Sequence, residues 1–245
     1  MAEKIPVGIQ LYSIRTHIES DVPGTLKALA AMGYEAVEFA GYYGLDGATL
    51  AGMLTDAGLK CAGAHTGMDQ LEGDALAETV TINRAVGNDR LIIPAADLDA
   101  LDTTITRMNA IHEQVKAAGM KLGYHNHTKE FEMIDGKTKF DLIMEGTADD
   151  FLAQVDIGWA FAAGQDVPAL LRQYGNRIET VHVKEFKPDT PQAVVGEGTV
   201  DWPSVMSIME NELSVHCYVV EQEQYEVGPM ESAQACIDNI RKMGR

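Results

Sequence analysis

One unit recurs along this chain: a helical segment that stops at a glycine, followed by a short apolar run. TLKALAAMGYEAVEF shows it first. Leu26, Leu29 and Ala30 recur at helical spacing, Gly33 is placed to cap the helix, and YEAVEF alternates as a strand does. ATLAGMLTDAGLKCAGAH turns at Gly58, ETVTINRAVGNDRLIIPA at Gly87, ITRMNAIHEQVKAAGMKLGYHNH at Gly119 and PALLRQYGNRIETVHVKEF at Gly175. WPSVMSIMENELSVHCYVVEQE keeps the order without the glycine. The pattern predicts strands at 5–11, 34–39, 59–64, 90–94, 120–126, 152–156, 178–184 and 216–221. Strands that alternate with helices make a parallel sheet. Eight such units predict a closed α/β barrel, the (β/α)8 TIM barrel, with residues 1–245 as one domain. No GxGxxG follows the first strand and no phosphate loop occurs, which argues against dinucleotide and nucleotide folds.

Composition narrows the class. A chain of 245 residues with 46% hydrophobic content can bury a substantial core without staples. A net charge of −18 argues against nucleic acid or an anionic membrane as a partner. Cys61, Cys217 and Cys236 are odd in number and widely spaced, so neither a disulfide framework nor a cysteine-rich zinc site is indicated. MAEKIPVGIQLYS lacks the apolar stretch of a secretory signal, and no apolar run is long enough to span a membrane. The expected location is cytoplasmic.

In such a barrel the active site gathers at the C-terminal ends of the strands. Those ends are rich in polar residues here. Strand one ends in Gln10 and Tyr12, strand two at Glu38 and strand three at His65. Strand five runs into LGYHNHTKEFEM, which holds His125, His127, Glu130 and Glu132. Strand six ends in QVDIGW with Asp156, strand seven in VHVKEF with His182 and Lys184, and strand eight in YVVEQE with Glu221 and Glu223. A lone acid at a strand end is commonly a helix cap or a loop contact, and a lone histidine is commonly a satisfied core residue. Four such residues on successive strands point to a shared purpose. Asp156, His182, Glu221 and a carboxylate from the fifth unit make an oxygen-rich site for one divalent ion, with Mn²⁺, Co²⁺, Mg²⁺ and Zn²⁺ all compatible. His65, Lys184 and Glu38 are weighed evenly between substrate contact and a structural role, while for Trp159 packing is favoured over covering the site.

The segments GIQLYSIR, GYEAVEF, YHNHTKEF, VDIGWAFAAG, RIETVHVKEF, GEGTVDW and YVVEQE, in this order, resemble the sugar phosphate isomerase/epimerase group of the xylose isomerase-like barrel superfamily. The resemblance spans nearly the whole chain. It implies one divalent metal held by Glu, Asp, His and Glu. Asp156, His182 and Glu221 match that set directly. Related epimerases carry a glutamate within strand five where this chain has His125. The glutamate arrives later, as Glu130, so Glu130 is the expected fourth ligand and His125 the alternative. The group's endonuclease relatives use a DxGH pattern; DIGW here puts Trp159 in the histidine's place, which argues against DNA cleavage.

The implied activity is a metal-dependent isomerase or epimerase that moves a proton α to the carbonyl of a ketose or keto-polyol through an enediolate, with Glu221 and Glu130 as the proton-moving pair. A lyase or dehydratase on the same platform is the alternative, with His127 or Lys184 as acid at the leaving group. His65, His125, His127, Lys184, Glu38 and Trp159 are the expected substrate contacts. With no basic cluster in the sequence, a non-phosphorylated carbohydrate is favoured. Barrels of this group often pair, so a homo-oligomer is possible.

Overall fold

The structure, a computed structural model, describes residues 4–187 and 190–245. Its centre is a closed barrel of eight parallel strands. These are β1 (Val7–Gln10), β2 (Ala36–Ala40), β3 (Lys60–His65), β4 (Arg90–Ile93), β5 (Lys121–His125), β6 (Leu152–Asp156), β7 (Thr180–Val183) and β8 (Cys217–Val220). Each strand pairs with its neighbours in chain order, and β8 closes on β1 through Val7↔Tyr218 and Ile9↔Val220. The expected strands all form. Six of the eight are one to three residues shorter than the expected spans, because the apolar runs continue into the turns on either side.

Strand alternation divides the side chains. Val7, Ile9, Val37, Phe39, Leu91, Ile93, Tyr124, Val155, Val181 and Val183 join the large core shared with the helices. The other face points into the barrel. Near the bottom it is filled by Ala36, Ala62, Cys217 and Val219. Above them lies a polar layer that includes Gln10, Glu38, His125, Gln154, Asp156 and His182, all buried. The inner space is tight. A Cβ on Gly63 would sit 2.8 Å from Glu38 Oε1, so the glycine makes room for that carboxylate.

Helix ends follow the sequence cues. Gly33 and Gly58 cap their helices in the left-handed conformation, with φ of 103° and 73°. Gly87 and Gly119 also have positive φ, one residue past the cap. Gly175 differs from the expected pattern. Its φ is −50°, and the helix Val167–Tyr174 runs straight into the 3-10 turn Gly175–Arg177. A Cβ there would meet Leu213 Cδ2 at 2.6 Å, the tip of a side chain that packs over the glycine. Two short antiparallel ribbons decorate the barrel, Met133–Ile134 with Lys137–Thr138 and Glu185–Lys187 with Thr190–Ala193. No helix among the described residues is long and apolar enough to cross a membrane.

Candidate metal centre

Strand register brings the polar layer together. Gln10 pairs with Glu38 across β1 and β2, His125 with Gln154 across β5 and β6, and Asp156 with His182 across β6 and β7. One donor atom from each of His125, Asp156, His182 and Glu221 lies within 4.8 Å of the other three, and all four residues are buried. His182 Nδ1 is 3.0 Å from Glu221 Oε2 and 3.9 Å from Asp156 Oδ2, and His125 Nε2 is 3.9 Å from that same oxygen. Asp156 serves two purposes. Its Oδ1 accepts from Trp159 N at 2.8 Å and so caps the helix Ile157–Ala162. Its Oδ2 is buried and takes no hydrogen bond of regular geometry, but the Lys184 ammonium faces it at 3.1 Å. A buried carboxylate oxygen needs such a cation, whether an ammonium or a metal ion. Asn126 steadies the strand end, accepting from Asp156 N at 3.0 Å and donating to Asp156 O at 3.2 Å.

Beneath these donors, Glu38 and Gln154 hold the histidines in place. Glu38 Oε2 is 2.6 Å from His182 Nε2 and 3.2 Å from His65 Nε2, and it accepts from Gln10 Nε2 at 2.8 Å. Glu38 Oε1 accepts from Gln154 Nε2 at 2.6 Å. That bond fixes the amide, so Gln154 Oε1 faces His65 Nε2 at 2.7 Å and His125 Nδ1 at 3.1 Å. His125 therefore carries its proton on Nδ1, which leaves the Nε2 lone pair toward Asp156. The polar network orients two imidazoles as donors.

The electrostatics are those of a cation site. Burial works against ionised His182, yet the Glu221 and Glu38 carboxylates on its two sides hold it up at about 10. Burial lowers both His65 and His125 below the ordinary histidine range, so they are neutral. Burial pushes Asp156 up, aided by Glu221 and opposed by Lys184. Glu221 goes down despite burial, because Lys184 and His182 face it. Lys184 is raised, held charged against burial by Asp156, Glu221 and Glu223.

A cavity of about 480 Å³ opens on this cluster. His65, His125 and His127 line it, with Tyr12 and Gln70. Two carboxylates, Glu221 and Glu223, are also on its wall, and no lysine or arginine is among its described lining residues.

The structure places the expected residues as follows. Asp156, His182 and Glu221 come together. Glu130 does not join them. Tyr124 points outward into the helix-facing core, and the 3-10 turn Lys129–Phe131 carries Glu130 after it. There its carboxylate accepts from the Tyr124 hydroxyl at 2.7 Å and from His127 N at 2.8 Å. The fifth-strand donor in the cluster is His125. His65 and His127 line the cavity as expected of substrate contacts. Glu38 lies inside β2 with two strand residues beyond it, fully buried and off the cavity wall, so it supports the site from below. Trp159 packs against Phe186 at 5.1 Å between ring centres, and its ring sits 4.5 Å from Lys184 Nζ. Glu132 pairs with Lys139 at the surface. Sequence reasoning missed Gln154. Its signal was present: LAQVD sets a polar residue two before Asp156, hence on the same inner face.

A family profile described as the xylose isomerase-like TIM barrel matches residues 26–243. An inosose dehydratase of Clostridium perfringens is 23% identical over 136 residues, which is 48% of this chain and 45% of that protein. The chain thus matches about half the length of that curated relative. Among solved structures, a sugar phosphate isomerase/epimerase from Parabacteroides distasonis superposes with a TM-score of 0.84 at 22% identity, covering 98% of this chain and 95% of the other. An L-ribulose 3-epimerase superposes with a TM-score of 0.71 at 16% identity, covering 98% and 94%. At these identities the superpositions establish the fold.

Proposed function

The chain belongs to the xylose isomerase-like TIM barrel family, and from that premise we propose that it is a divalent-metal-dependent enzyme acting α to the carbonyl of an uncharged ketose or keto-polyol. The observation that carries this reading is the convergence of four buried donor atoms, one each from His125, Asp156, His182 and Glu221, within 4.8 Å of one another. His125, Asp156, His182 and Glu221 would hold the ion. Two imidazoles with two carboxylates suit Zn²⁺, Co²⁺ or Mn²⁺ better than Mg²⁺. Bound there, the ion supplies Lewis acidity toward a substrate carbonyl and an adjacent hydroxyl.

The remaining chemistry belongs to the chain. Glu221 lines the cavity and is ionised, so it takes the proton α to the carbonyl. His127 lies on the same cavity wall and is the group that returns or delivers a proton there. Glu130, proposed from the sequence for that role, instead fixes His127 through its backbone N–H. His65 and Gln70 orient hydroxyls. Among the described residues, the lining carries carboxylates and no lysine or arginine, which favours a neutral polyol over a sugar phosphate.

Isomerisation or epimerisation is the leading reading, with an enediolate as the common intermediate. A dehydratase is the second, favoured by the similarity to inosose dehydratases. Incubation of metal-loaded protein with neutral ketoses and inososes in D₂O separates them. Solvent deuterium entering the α position with no loss of water supports isomerisation, and an enone product supports the dehydratase. Absence of both, for a protein that binds the metal, would remove the catalytic reading and leave a carbohydrate-binding barrel.

A further inference from the structure

Lys184 follows β7 and is completely buried. Its Nζ lies 2.9 Å from Glu221 Oε2 and 3.1 Å from Asp156 Oδ2, the two carboxylates of the metal cluster. It also lies 2.7 Å from Glu223 Oε1. A divalent ion drawing on Asp156 and Glu221 at about 2.1 Å would claim the same oxygens that the ammonium faces. Two cations cannot both sit against this pair without strong repulsion in a buried site.

We propose that Lys184 is the site's built-in counter-cation, that metal binding displaces its ammonium, and that Glu223 receives it. This inference rests on the metal reading above. Three observations set the direction of movement. The Lys184 backbone packs directly on Gly158, so closely that a Cβ there would lie 2.6 Å from Lys184 O, and the long side chain is the part of the residue best able to shift. Glu223 already contacts Nζ, and its side chain is 26% exposed against 0% for Asp156 and 5% for Glu221. Glu223 lines the cavity and Lys184 does not. Displacement toward Glu223 therefore carries the ammonium to the cavity wall, where it becomes a hydrogen-bond donor to a substrate oxygen. Metal loading and the arrival of that donor are one event. Without metal, the same ammonium neutralises the buried carboxylates and keeps the barrel mouth folded.

The test is the affinity for Zn²⁺ and Co²⁺, measured on the full-length, metal-stripped protein by competition with a chromophoric chelator. Lys184→Met removes the competing cation and should tighten binding by about tenfold or more. Glu223→Gln removes the receiving partner and should weaken binding several-fold. In the Lys184→Met background, Glu223→Gln should have no further effect, because its role runs through Lys184. Lys184→Gln retains a polar group against Asp156 and should tighten binding in the same direction if the methionine variant folds poorly. Wild-type binding with unchanged affinity in both Lys184 variants overturns the proposal alone. An equal effect of Glu223→Gln in both backgrounds also overturns it, since Glu223 would then act only by charge. Failure of the wild type and all variants to bind metal overturns the metal centre itself, and this inference with it.

Discussion

Glu38 Oε2 and His182 Nε2 lie 2.6 Å apart, with both side chains wholly out of contact with solvent. The pair ties the second strand to the seventh across the barrel interior, and it aims His182 Nδ1 at Asp156 and Glu221. The two groups titrate in opposite senses. Burial raises the Glu38 carboxyl, but His65 and His182 more than offset this and hold it below its ordinary 4.5. Its contribution to stability is complete above that value and is lost as pH falls. His182 is held up at about 10 from an ordinary 6.5, so its contribution is complete below 6.5 and is lost as pH rises toward 10. The contribution of this pair should therefore be greatest between about pH 4.5 and 6.5. His65 and His125, held below 6.5 by burial, instead lose stability as pH falls under 6.5. The metal-stripped protein should thus be most stable near pH 6.5 and should lose stability steadily from there to pH 10. Glu38→Gln should lower stability by about 3–5 kcal/mol near neutral pH and flatten the alkaline slope. Urea unfolding across that range measures both. A slope unchanged in the variant would show that Glu38 does not hold the His182 proton.

The same proton gives a calorimetric signature. His182 is charged at neutral pH in the metal-stripped protein. A divalent ion can take its Nδ1 only if that proton leaves. Metal binding at pH 7.5 should therefore release about one proton, seen as a difference in apparent enthalpy between buffers of unlike ionisation enthalpy. Release near zero would mean that His182 stays protonated and is not a ligand.

How much of this was legible in the sequence follows from which interactions are local. The strands were readable because apolar alternation and glycine stops are written within each unit, as at Gly33 and Gly58. Asp156 shows why a single residue was ambiguous. It was weighed as helix cap or ligand, and it caps with one oxygen while the other faces the cluster. Glu130 went astray because a five-residue offset from the strand end says nothing about which side of the barrel the turn takes. Tyr124 decides that by drawing Glu130 outward through its hydroxyl. Glu38 and Gln154 meet across 116 residues of chain, and no local pattern records such a contact. The side chain that packs over Gly175 is likewise that of Leu213, far along the sequence.

Gly158 offers a test of how rigidly the site is mounted. A Cβ there would meet Lys184 O at 2.6 Å and Lys184 Cβ at 2.7 Å, so the helix Ile157–Ala162 presses on the end of β7. The neighbour is backbone and has little room to retreat. Gly158→Ala should cost about 1–3 kcal/mol of stability by overpacking. It should also disturb the Lys184 contacts with Asp156 and Glu221, and so lower turnover more than substrate affinity. Denaturant midpoints with kcat and KM on the same preparation check this. A variant of normal stability would show that the helix can slide away from β7.

His125 and Glu130 give the sharpest contrast, because the sequence favoured one and the structure brings in the other. His125 belongs to the group of donors within 4.8 Å of one another, with its Nε2 facing Asp156. Glu130 is engaged by the Tyr124 hydroxyl and the His127 amide. His125→Gln should weaken Zn²⁺ binding by about a hundredfold or more, as expected when one of four donors is lost to a poor ligand. Glu130→Gln should leave metal affinity within about threefold of wild type. It removes the charged acceptor of two buried hydrogen bonds, so it should cost about 1–3 kcal/mol of stability and loosen His127 at the cavity wall. Chelator competition and thermal unfolding on the two variants separate these roles. If Glu130→Gln abolished metal binding while His125→Gln kept it, the fifth-strand ligand would be the glutamate, and the turn after β5 would have to fold back over the barrel mouth.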